Sequence, residues 1–107
     1  MALYVGEAVR ISAEALDPDG RSPLDPPPLS AHVEFWAPGR NPVRDPDVRG
    51  TPDVAAQPLT RDDVTGVWAL YQSTDGAPWV AGKWTYRVTV VGSAYENWEY
   101  ASFSLKL

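Results

Sequence analysis

The chain predicts an all-β fold, a two-sheet sandwich whose role is contact with other molecules. Three observations carry that expectation. Residues 84–90, Trp-Thr-Tyr-Arg-Val-Thr-Val, alternate large apolar and polar side chains without a break. A strand sends successive side chains to opposite faces, so this pattern buries one face and wets the other. Eleven prolines and eight glycines divide 107 residues into short segments, which suits strands joined by rigid turns and works against long helices. The apolar share of 44%, with five Trp and five Tyr, fills one core, so residues 1–107 are expected to form a single domain.

Taken in order, residues 9–15 alternate with period two and predict the first long strand. It stops at Asp17-Pro18-Asp19-Gly20, where proline presets a turn, aspartate bonds nearby backbone and glycine accepts positive φ. The proline-rich stretch 22–28 cannot continue a ladder and reads as a stiff polyproline-like connector. His32 to Trp36 form the next strand, with Val33 and Phe35 on one face and His32, Glu34 and Trp36 on the other; Pro38-Gly39 ends it.

Residues 40–58 carry Pro42, Pro46, Pro52 and Pro58 among arginines and aspartates, with little alternation. They predict a long proline-rich loop, of the kind that is usually functional or mobile, with a short strand near 54–59. Residues 61–66 turn into a strand over 67–72 that puts Trp68 and Leu70 on one face. A loop over 73–82 contains Trp79. A strand over 83–91 then turns through 92–94 and returns over 97–107, with Ala101, Phe103, Leu105 and Leu107 as its apolar face. About seven antiparallel strands at this spacing predict a sandwich, with no helix and no repeat.

Composition narrows the function. Without cysteine there is neither a disulfide nor a thiolate metal site. The net charge of −5 speaks against nucleic acid as partner, since phosphate binding wants a basic face. Arg40, Arg44 and Arg49 make a modest cluster, but Asp45, Asp47 and Asp53 are interleaved with them. No segment approaches the roughly 20 apolar residues of a membrane span, and the N-terminus lacks the basic and apolar regions of a signal peptide. The expectation is a soluble protein and a complete gene product.

No residue set predicts catalysis, and no cofactor or metal is expected. Asp17-x-Asp19-Gly20 resembles the opening of a calcium loop, but Arg21 and Pro28 stand where further ligands would be required, so a plain turn is the expectation. Asp62-Asp63 likewise predicts a turn. His32 is the single histidine, which leaves no histidine cluster for a metal. Glu34, Glu96 and Glu99 are acidic residues on strands, whose default is a solvated face rather than a glycosidase pair. Trp68, Trp84 and Tyr86 are assigned to the core. Trp36, Trp79, Trp98, Tyr95 and Tyr100 exceed what two inner faces easily hold; they either cover the ends and loops or serve as contact residues.

The chain resembles the short immunoglobulin-like proteins encoded among the virion structural genes of tailed bacteriophages, often of actinobacterial hosts. The resemblance lies in Val5-Gly6-Glu7-Ala8-Val9-Arg10-Ile11 as first strand and in the turn from Asp17 through Leu24 to the proline-flanked Asp25. It continues through Val33-Glu34-Phe35-Trp36-Ala37-Pro38-Gly39, Gly66-Val67-Trp68, and Ala81-Gly82-Lys83-Trp84-Thr85-Tyr86-Arg87 with Glu99 and Phe103 after it. These segments span most of the chain in order, and 40–58 departs from the pattern by its length and proline content.

The resemblance implies a single immunoglobulin-like β-sandwich and a non-enzymatic virion protein that decorates or reinforces the head, neck or tail. It would contact coat, connector or tail proteins in many copies set by particle symmetry. The partner-binding residues expected on this reading are Trp36, Arg40, Arg44, Arg49, Trp79 and Trp98, and deletion of 41–53 is expected to spare the fold while weakening incorporation. The alternative is an adhesion module on the virion that binds host-surface carbohydrate through exposed aromatics. A third reading is an immunoglobulin-like module of a larger bacterial surface protein.

Overall fold

The computed structural model describes residues 3–13, 29–93 and 95–107. Along the chain run β1 (Leu3–Tyr4), β2 (Ala8–Ala13), β3 (Ser30–Trp36), a helical turn α1 (Pro46–Arg49), β4 (Val54–Pro58), β5 (Thr60–Arg61), β6 (Trp68–Ser73), β7 (Gly82–Val91) and β8 (Glu96–Lys106). The fold is all-β, as the alternation predicts. Five strands form one sheet in the order β1-β8-β7-β3-β4, and three form a second in the order β2-β6-β5.

The long hairpin β7–β8 is the backbone of the larger sheet, in register from Gly82 opposite Leu105 to Val91 opposite Glu96. β3 pairs antiparallel along the other edge of β7, from Ser30 opposite Val91 to Trp36 opposite Thr85. The inward side chains of β3 and β7 meet those of β2 and β6. Val33, Phe35 and Trp84 are fully buried, and Val88, Ile11, Val9 and Trp68 are nearly so, in one cluster contributed by both sheets. Trp79 enters this cluster from the loop before β7. Its ring lies 4.4 Å from that of Trp84 and meets Phe35 edge-on at 5.2 Å.

β1 was hidden in the sequence because two residues carry no period. It pairs parallel with β8, Leu3 opposite Leu105, which corrects the expectation that every strand is antiparallel. The chain then changes sheets at Gly6, whose φ of +99° only glycine adopts without strain. Buried Thr74 fastens this crossover: its hydroxyl donates to the Glu7 carbonyl at 2.6 Å and accepts from the Gly6 N–H at 2.9 Å.

The strands expected over 9–15, 32–36, 54–59, 67–72, 83–91 and 97–107 all exist, with ends displaced by a residue or two. Residues 14 and 15, the expected turn at 17–20 and the connector at 22–28 lie outside the described residues. Two expectations fail at β8: Ala101 and Leu107 are exposed, and only Phe103 and Leu105 of that face turn into the core. The stretch 40–58 is not one loop, because it holds α1 and β4. Asp62-Asp63 is a turn as expected, with Asp62 Oδ1 accepting from the N–H groups of Val64 and Thr65.

Candidate contact surface

β3, β7 and β8 also present an outer face, turned away from the shared core. Strand alternation and register place Trp36, Thr85 and Ser102 in one cross-strand row. Glu34, Arg87 and Tyr100 form the next, and His32, Thr89 and Trp98 the one beyond. This face is not simply solvated. Thr89 is buried and Trp36 is wholly inaccessible, although Trp36 stands apart from the core cluster between the sheets.

At Trp36, residues 40–53 are the reason. They fold back across the end of the face, and the Trp36 Nε1–H donates to the carbonyl of Val48 in α1 at 2.6 Å. Asp45 caps that helical turn, its carboxylate accepting from the Asp47 N–H at 3.0 Å, with Pro46 opening the turn. Asn41 Oδ1 accepts from the N–H groups of Val43 and Arg44. Asp53 Oδ2 accepts from the Ala37 N–H at 2.7 Å and pairs with Arg40 at 2.8 Å. Arg40 also donates to the Thr51 hydroxyl at 2.6 Å, and Arg49 donates to the carbonyls of Pro42 and Val43. The segment is therefore knotted from within, by the very arginines and aspartates whose mixed charges made it read as a loop.

Arg87 lies at the centre of the face. Its guanidinium pairs with Glu34 at 2.6 Å and sits 5.6 Å from the Trp36 ring centre and 5.9 Å from that of Tyr100. Burial alone would lower its pKa, but the hydrogen bond and charge of Glu34, aided by Tyr100, together raise it above the ordinary arginine value. Arg87 is thus a fixed cation clamped between two rings and a carboxylate.

Beside this cluster opens a groove of about 580 Å³. Its floor is Lys83, Thr85, Tyr100 and Ser102, and its wall runs from Pro38 to Arg44. Three cations line it, Arg40, Arg44 and Lys83, and among the described residues no carboxylate does. The Arg40 charge is answered by Asp53. Among the described residues the Arg44 and Lys83 side chains have no hydrogen-bonded or ion-paired partner.

The six expected contact residues therefore separate. Trp36 and Trp79 are corrected: both are buried, one under α1 and one in the core, so neither can touch a partner. Arg40 and Arg49 hold their own segment together. Arg44 is exposed on the groove wall, and Trp98 is 60% exposed on the outer face. Lys83 escaped the sequence reading because a single lysine at the head of a strand gives no signal until the fold sets it beside Arg44. Deleting 41–53 would uncover Trp36 and strip Ala37 of its acceptor, so these contacts weigh against the expectation that the fold would be spared.

The acidic residues do not converge. Glu34 faces outward against Arg87, whereas Glu99, opposite Val88, lies on the inner side of its strand. Glu96 shares the outer face with Glu34 but lies two strands across and four residues along, on the order of 16 Å away, beyond the carboxyl spacing of glycosidases. No group of His, Asp or Glu among the described residues is arranged to hold a metal ion. Comparison with known proteins finds no family model, no curated protein and no solved structure that this chain matches.

Proposed function

We propose that this chain is an immunoglobulin-like β-sandwich and a non-enzymatic contact protein of a tailed-phage virion, on the head, neck or tail. The observation that carries the fold reading is the strand order. Three strands, β2-β6-β5, oppose five, β1-β8-β7-β3-β4, and the short β1 runs parallel to the last strand before the chain crosses to β2 in the other sheet. That order corresponds to B-E-D against A′-G-F-C-C′ in immunoglobulin-type sandwiches. The virion assignment rests on the sequence resemblance, and the rigid outer face supports a contact role: a clamped layer of Trp36, Arg87 and Tyr100, with an exposed Trp98 in the next cross-strand row, is pre-organised for binding. The test is quantitative mass spectrometry of purified particles from the source culture. Copies in fixed ratio to the coat protein are expected, and absence from particles would sink the reading.

The second reading is adhesion to host-surface carbohydrate. Trp98 favours it, because an exposed indole on a sheet face is a stacking platform for a sugar ring. Titration with host cell-wall polysaccharide should then quench the Trp98 emission. An unchanged spectrum at saturating polysaccharide would remove this alternative.

A further inference from the structure

We propose that the groove between the 38–44 wall and the start of β7 is a binding site for carboxylates, and that it takes an acidic peptide segment of a neighbouring protein. The inference rests on the contact-protein reading and assigns its chemistry. In a chain of net charge −5, this concavity is lined by Arg40, Arg44 and Lys83, with no acidic residue among the described residues. Asp53 already neutralises Arg40, so the uncompensated charges facing the groove are Arg44 and Lys83. An arginine fork and an ammonium beside the hydroxyls of Thr85 and Ser102 are donors in search of oxygen acceptors.

The surroundings choose among anions. Phosphate sites are usually cradled by free backbone N–H groups. Here the N–H groups of Val43 and Arg44 are taken by Asn41, and that of Arg40 by the Ala37 carbonyl. The charged donors that remain are side chains, Arg44 and Lys83, which suit single carboxylates. An acidic sugar would want a bare aromatic face, but Tyr100 is packed against Trp36 and Arg87. Pro38 and Val43 add apolar wall against which the aliphatic part of a glutamate or a flanking residue can lie. The groove volume of about 580 Å³ falls in the range of ligand sites and exceeds one side chain, so a short segment rather than a lone residue fits it.

The experiment is amide NMR of the intact chain titrated with a hexaglutamate peptide, in parallel with inorganic phosphate and with polygalacturonate. Shifts are expected at Arg44, Lys83, Thr85 and Ser102 with the peptide, weakening as salt is added. Arg44→Gln and Lys83→Gln should each weaken peptide binding roughly tenfold. Arg10→Gln, an exposed arginine on β2 in the other sheet, should leave it unchanged. Equal or stronger binding of phosphate would reduce the groove to a general anion site and overturn the proposal; tighter binding of polygalacturonate would overturn it in favour of a glycan. Absence of groove shifts with any probe, or peptide binding indifferent to Arg44 and Lys83, would also overturn it. Failure here leaves the particle measurement untouched, and absence from particles leaves a positive titration standing.

Discussion

At the scale of single residues, this fold turns on charges placed where water is scarce. The Arg87 and Glu34 side chains are only 20% and 15% exposed, so neither is well solvated alone. Replacing Arg87 with Met would strand the Glu34 carboxylate beneath Trp36 and Tyr100, at a cost of about 2–3 kcal/mol. Glu34→Gln keeps an acceptor for Arg87 and should cost less. The double variant Arg87→Met with Glu34→Leu should recover part of the loss, and urea denaturation of all three would read it out. If the double variant is less stable than Arg87→Met, the pair is not an isolated unit. On the inner side, burial first and the Glu99 charge second raise the Tyr86 pKa above its ordinary 10.0. A neutral phenol is therefore favoured by folding. Its contribution is fully present below pH 10 and is lost as pH climbs through the raised value. The urea midpoint should fall less steeply above pH 10 in Tyr86→Phe than in the parent chain, while identical alkaline slopes would refute the assignment.

At the scale of elements, the segment 40–53 works as a cover. α1 is a four-residue turn that would not persist alone; its cap at Asp45 and the Trp36 bond to Val48 hold it against the sheet. Asp53 is the hinge pin, joining the Ala37 N–H to Arg40. Asp53→Ala should therefore destabilise the chain by about 1–3 kcal/mol and shift Trp36 emission to the red as its cover loosens. A thermal midpoint equal to the parent's would mean that the cover is held by packing alone. This element also marks where sequence reading stops. Alternation identifies the two faces of β3, yet it cannot say that the outer face at Trp36 is roofed, because the roof comes from residues with no period of their own. The same blindness hid β1 and β5, each two residues long, and let Trp79 be taken for a surface residue when its loop inserts it into the core. By contrast, Val33, Phe35, Trp68 and Trp84 were legible as core, since each sits on an alternating strand opposite polar neighbours. Of the site, Arg44 and Trp98 were picked by residue type, and the structure shows both exposed. Lys83 and the groove needed the β3–β7 register to bring distant residues together.

For the molecule as a whole, the question is whether two layers behave as one. The core between the sheets holds Trp68, Trp79 and Trp84, the outer layer holds Trp36, and Trp98 alone of the five is exposed. β3 and β7 belong to both layers, presenting Phe35 and Trp84 inward and Trp36 and Arg87 outward. The outer layer therefore cannot open far without disturbing strands that carry the core, and the chain should unfold in one cooperative step. Tryptophan emission and far-ultraviolet circular dichroism should trace the same urea transition. In the folded state, iodide should quench a single class of indole, and Trp98→Phe should abolish that quenching without moving the transition. An emission change that precedes the loss of strand signal in the Trp98→Phe variant would locate a separate opening of the α1 cover. It would then follow that the wall of the cationic groove can move while the floor on β7 and β8 stays in place, and peptide affinity would depend on how often the cover is closed.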